Sequence, residues 1–152
     1  MKRIVECHGS IHHFQCIACC TEQIWEADGE AIEIEGSSFR AQNPLPKCKN
    51  CKRLARPNIL MFWDSLWLSS RTEGQHEGFS NWLNELRVAS AKVVVVELGA
   101  GSAIPTVRHT SEQVAGRLHG KLIRINPREA EVPNGHIGLT LGALEGIARI
   151  CP

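Results

Sequence analysis

The sequence predicts an α/β fold, a parallel sheet with covering helices preceded by a small cysteine-rich module, and three observations carry that prediction. Two C-x2-C pairs, Cys16 with Cys19 and Cys48 with Cys51, fall within the first 51 residues. From residue 58 onward, short apolar runs alternate with segments of helical period, the strand-helix-strand order of a parallel sheet. Composition places the whole among soluble globular chains: 152 residues, 43% hydrophobic and 22% charged. A net charge of +1 supplies no argument for a nucleic-acid or membrane partner, and none is expected. The longest apolar runs, such as VVVV at 93–96, are far too short to span a bilayer.

The seven cysteines come without the apolar stretch and cleavage site of a secretory signal in MKRIVECHGS. That argues for a reducing, cytoplasmic setting, where paired C-x2-C spacings point to metal rather than to a disulfide framework. Each C-x2-C sets two thiolates on one tight turn, and two such turns supply the four soft ligands of a closed tetrahedral zinc site. A thioredoxin-type redox centre needs one pair, not two. Cys16, Cys19, Cys48 and Cys51 are therefore the expected ligands, with 28 residues between the pairs. Cys20 is expected to stand aside, because neighbouring side chains diverge. His12 and His13 are the nearest substitutes. Lys47, Lys49, Lys52, Arg53 and Arg56 crowd the second pair and would offset thiolate charge.

Taken in order, IWEADGEAIEIEG between the pairs reads as strand-like, with room for a hairpin at Asp28-Gly29. NILMFW, 58–63, reads as a short buried strand, and DSLWLSSRTEGQHEG as a loop. Phe79, Trp82, Leu83 and Leu86 recur at helical spacing, which predicts an amphipathic helix over about 73–89. KVVVVELG, 92–99, is the clearest strand, apolar enough to be covered on both faces. GAGSAIP breaks it, PTVRHTSEQVAGRL reads as a helix, KLIRIN (121–126) as a strand, and LTLGALEGIARI as a closing helix.

Ligands of such sheets bind at the carboxyl ends of the strands. Two loops lie there in this sequence. Gly99-Ala100-Gly101-Ser102 offers small residues that admit a ligand to the backbone, ahead of a helix whose N–H groups favour an anion. A lone GxG is weak evidence, since the third glycine of the dinucleotide fingerprint is missing. Asn126 begins the second loop, where a polar side chain can hydrogen-bond a ribose hydroxyl.

Together these segments resemble the sirtuins, NAD-dependent protein-lysine deacylases. VECHGS at 5–10 is similar to the family's E-L-H-G-S, and two C-x2-C pairs follow at the expected distance. ARPNILMFWD resembles L-R-P-x-V-V-x-F-G-E, VVELGAGSAIP falls where the family carries G-T-S-L-x-V-x-P, and IRIN matches its I-N segment. The resemblance implies a zinc-ribbon module over 7–57 and the second half of a Rossmann-type NAD-binding layer over 58–152. It implies zinc and NAD as cofactors and an acylated-lysine protein as substrate. Gly99, Ala100, Gly101, Ser102 and Asn126 become the expected cofactor surface.

The departures carry expectations of their own. Trp63 stands at the glycine of F-G-E, where the family lays its peptide, and is expected to crowd that cleft. Asp64 replaces the acid, and Ala100 and Gly101 replace two hydroxyl residues. His8 is read as a structural histidine of H-G-S, and no catalytic residue is assigned. The family's first nucleotide-binding segment is expected upstream of this chain. The chain therefore reads as a carboxyl-terminal portion, inactive alone, that pairs with the missing half or self-associates through its sheet edge. The alternative is a non-catalytic zinc-binding interaction module.

Overall fold

The structure, a computed structural model, describes residues 3–29 and 32–150. The chain forms two compact units, Met1–Phe79 and Ser80–Pro152. The first is built on an antiparallel sheet of order β2-β1-β3, from β1 (Gly9–Cys16), β2 (Ile24–Glu26) and β3 (Ala55–Ile59). Phe14 faces Trp25 across β1 and β2, and their rings meet edge to face at 6.4 Å, a geometry that stabilises aromatic cross-strand pairs. Phe14, Cys16 and Cys48 form its buried apolar centre. The turn at Asp28-Gly29 follows β2, but Glu30 and Ala31 of the expected hairpin lie outside the described residues.

β3 crosses Pro57–Asn58 without a break, at the point where the sequence suggests a module boundary. The buried strand expected over 58–63 is corrected: it begins at Ala55 and stops at Ile59. Pairing ends there because Ile59 faces Gly9, the first residue of β1. Met61, Phe62 and Trp63 run on into solvent as a turn, closed by the Asp64 N–H donating to the Met61 carbonyl at 3.3 Å.

A polar knot fastens the loop that follows. The Gln15 amide donates to the Leu66 carbonyl at 2.7 Å, while its oxygen accepts from Asn58 at 2.9 Å and from the Leu68 N–H at 3.1 Å. Gln15 and Asn58 are completely buried, so each of these bonds spares a costly unsatisfied group. The helix α1 (Ser70–Val88) then begins, three residues ahead of expectation, and runs across the division between the units. Among the described residues no helix is long and apolar enough to cross a membrane.

The second unit is a parallel sheet of order β4-β5-β6, from β4 (Val94–Leu98), β5 (Lys121–Ile125) and β6 (Ile137–Leu139). The helices α2 (Thr106–Arg117) and α3 (Ala143–Ile150) complete it. Two expectations are corrected here. KVVVVELG is not covered on both faces: β4 lies at the edge, and Val94, Val96 and Leu98 are exposed. An apolar run records a demand for burial but not which neighbour meets it, and β5 takes the central place with Leu122 and Ile125 fully buried. LTLGALEGIARI is not one helix either, since Leu139 closes β6 and α3 starts only at Ala143.

β5 also buries a charge. Arg124 is 1% exposed and reaches Glu97 of β4 through two bonds, at 2.5 and 3.1 Å. It donates in addition to Glu112 of α2 at 2.9 Å. The pairing explains why Glu97 can stand in an otherwise apolar strand.

Candidate metal centre and nucleotide loops

β1 delivers Cys16 to the end of its strand, where the chain turns back with the Cys19 N–H donating to the Cys16 carbonyl at 3.1 Å. The second turn is closed one residue wider, by the Lys52 N–H donating to the Cys48 carbonyl at 3.0 Å. The bridge between Lys47 and Leu54 holds the two sides of that turn together. The sulfurs of Cys16, Cys20, Cys48 and Cys51 converge, all within 4.8 Å of one another. Cys16 lies 3.6 Å from Cys51, and Cys20 lies 3.6 Å from Cys48.

The sulfurs that converge differ from the expected ligand set at one position: Cys20 joins the cluster and Cys19 does not. The reason is local. Cys19 adopts φ 45, and its sulfur is directed to the Leu66 carbonyl at 2.9 Å, the same oxygen that Gln15 holds. The left-handed residue reverses the chain so that the next side chain, four positions from Cys16, returns to the cluster. Spacing alone could not reveal this, because it depends on a carbonyl 47 residues away.

The four thiols fit a tetrahedral zinc ion. Zinc–sulfur bonds of about 2.3 Å give a tetrahedron whose edges are about 3.8 Å, close to the two observed separations. The Arg53 backbone N–H and the Cys20 thiol hold Cys51 down at about 6, while the bond to Cys51 pushes Cys20 up to about 12. Neighbouring thiols without a metal resist ionising together, and a divalent ion removes that conflict.

The loops after β4 and β5 form a second constellation. Gly99 leaves β4 at φ 66, a turn that glycine makes without strain. Asn126, buried at the end of β5, donates to the Ala100 carbonyl at 3.0 Å. Its oxygen accepts the N–H groups of Arg128 and Glu129, each at 3.0 Å. Arg108 of α2 donates to the carbonyls of Ala100 and Glu129 at 3.0 Å and of Glu131 at 3.1 Å. Gly99, Ala100, Gly101, Ser102 and Asn126 are therefore brought together. Glu129 closes the second loop, Asn126-Pro127-Arg128-Glu129, whereas Arg108 was not legible as part of the same surface. Hydrogen bonds from Ser102, with help from Arg108 and Arg128, hold the Glu129 carboxyl below the usual range.

Trp63, expected to crowd a cleft, has a fully exposed side chain. Its φ of 60 is the conformation glycine favours, which suits a position where the family pattern has glycine. Asp64 is anchored by Arg56 at 2.6 Å, and that bond lowers its carboxyl below the ordinary range. His8 adjoins the same turn, its carbonyl accepting the Leu60 N–H at 2.9 Å. His12 and His13 instead line a cleft of about 340 Å3 with Glu6 and Arg71.

Comparison with known proteins gives consistent matches. The family described as the Sir2 family matches residues 1–89. A protein named NAD-dependent protein deacylase from Thermococcus kodakarensis is 27% identical over 125 residues, covering 82% of this chain and 42% of that protein. An NAD-dependent protein deacetylase from Thermotoga maritima is 29% identical over 65 residues, 43% of this chain and 23% of its own length. Among solved structures, a sirtuin studied for substrate affinity superposes with a TM-score of 0.57 at 22% identity, over 99% of this chain and 54% of its own. Sir2Tm bound to a propionylated peptide gives 0.56 at 22%, over 98% and 55%. At that identity the structural likeness concerns the fold alone. The chain spans less than half the length of these two relatives and about half of each solved chain.

Proposed function

The chain belongs to the Sir2 family, and from that premise we propose that it carries the zinc-holding module and part of the NAD surface of a protein-lysine deacylase. The reaction is transfer of an acyl group from lysine to the ADP-ribose of NAD, with release of nicotinamide. The observation that carries this reading is the bond from Asn126 to the Ala100 carbonyl. It ties the loops after β4 and β5 into one surface at the carboxyl ends of parallel strands, where open α/β sheets bind ligands.

The roles divide by unit. Cys16, Cys20, Cys48 and Cys51 would hold zinc as a closed structural site with no position left for substrate. Gly99 to Ser102 and Asn126 would face the nucleotide. NAD, when bound, supplies the ADP-ribose that accepts the acyl group. His8 is the histidine to test as a general base, because it adjoins the exposed Leu60–Trp63 turn, whereas His12 and His13 line a different cleft.

Titration of NAD against the 152-residue chain tests the reading. Binding is expected to weaken in both Gly101→Leu and Asn126→Ala, while circular dichroism stays unchanged. Unchanged binding in both variants defeats the assignment of these loops. We also propose that acyl transfer needs more of the cofactor surface than this chain holds, so that the chain assayed by itself shows no NAD-dependent deacylation. Stoichiometric zinc without any NAD binding would favour a non-catalytic interaction module.

A further inference from the structure

The Ser102 donors that would meet an anion are already taken, and they are taken from within. The Ser102 backbone N–H donates to Glu129 Oε2 at 3.0 Å, and the Ser102 hydroxyl donates to Glu129 Oε1. A Cβ at Gly101 would stand 3.3 Å from the same Oε2, so the absence of a side chain there lets the carboxylate settle against the loop. We infer that Glu129 is a carboxylate plug on the nucleotide loop, occupying the position of a ligand phosphate. A phosphate-bearing ligand reaches the Ser102 donors only by displacing it. This rests on the NAD reading of the loops given above, and deepens it by naming the group that sets their affinity for phosphate.

The plug is separable from the frame that holds the loops. Asn126 fixes the backbone at Ala100, Arg128 and Glu129. Arg108 binds the carbonyls of Ala100, Glu129 and Glu131. Neither set of bonds uses the Glu129 carboxylate, and Arg108 comes no closer to it than 4.0 Å. Removing the charge therefore frees the Ser102 donors while the loops keep their place. The carboxylate is itself more than a third exposed, so it can swing outward when a ligand arrives.

Glu129→Gln is the direct test, with inorganic phosphate and NAD titrated separately and the Gly101 and Ser102 amide resonances followed by NMR. Hydrogen bonds to charged groups are worth enough that removing the competitor should tighten phosphate binding about tenfold, with NAD tightening in step. Glu129→Ala should do the same, which separates loss of the plug from any new bond made by glutamine. Equal phosphate affinity in wild type and both variants would overturn the plug, and weaker binding would make Glu129 a ligand contact instead. Phosphate that binds more tightly to the variants while NAD binds to none would uphold the plug and defeat the NAD reading.

Discussion

Arg124→Met strands a charge that the fold cannot otherwise satisfy. The Glu97 side chain has no solvent exposure, and Arg124 meets both of its oxygens, at 2.5 and 3.1 Å. Glu112, also paired with Arg124, is 35% exposed and can turn to water. The cost therefore falls on Glu97. Breaking a buried pair by removing one partner costs about 3–5 kcal/mol, against a total domain stability of about 5–15 kcal/mol. Glu97→Gln should cost less, about 1–3 kcal/mol, because Arg124 keeps Glu112 and the Glu131 carbonyl. The double variant Arg124→Met with Glu97→Leu should regain most of the loss, since apolar replacement of a whole buried pair is often neutral or stabilising. Urea unfolding followed by far-ultraviolet circular dichroism, with hydrogen exchange of the β5 amides, reads all three. A single-variant loss below about 1 kcal/mol, or a double variant no better than Arg124→Met, would refute the reasoning.

Other perturbations give equally definite outcomes. Burial raises the Glu6 carboxyl, but hydrogen bonds from Arg71, Ser10 and Gln75 and the Arg71 charge outweigh it and pull it down to about 2 from 4.5. The folded value is depressed, so this stability is complete above about pH 4.5 and is lost as pH falls toward 2; Glu6→Gln should flatten the acid limb of the unfolding midpoint, and an unchanged limb would contradict it. Gly146→Ala would place a Cβ 2.4 Å from Ile125 Cγ2, and overpacking of about 1–3 kcal/mol should outweigh the helix-propensity gain of about 1 kcal/mol, lowering the melting temperature. β4 is an edge strand with Val94, Val96 and Leu98 exposed, an invitation to pairing with another chain. The chain should associate with rising concentration, measured by sedimentation, and Val96→Lys should suppress it; association unaffected by the substitution would place the contact elsewhere.

Periodicity made much of the second unit legible. The runs at 92–99 and 121–126 and the helical segments about them appear as elements, because short apolar runs and helical spacing report local geometry directly. The order of strands was hidden. KVVVVELG looks interior by its apolar content, yet β5 is the strand paired on both sides, with Arg124 linking Glu97, Glu112 and the Glu131 carbonyl. β6 escaped notice because three residues, one of them Gly138, carry almost no pattern. The cysteine pairs announced a metal site from spacing alone. The choice between Cys19 and Cys20 did not follow from spacing, since it turns on φ 45 at Cys19 and on the Leu66 carbonyl supplied by a distant loop. The partnership of Ser102 with Glu129 is similarly long in sequence and short in space.

The zinc content of Cys19→Ser and Cys20→Ser, measured on purified chain by elemental analysis, tests the convergence of Cys16, Cys20, Cys48 and Cys51 most directly. Wild type should carry one zinc per chain, Cys19→Ser should keep it, and Cys20→Ser should lose it along with the order of the β1–β3 sheet, since structural zinc contributes folding energy outright. Zinc retained by Cys20→Ser and lost from Cys19→Ser would contradict the site and return Cys19 to it.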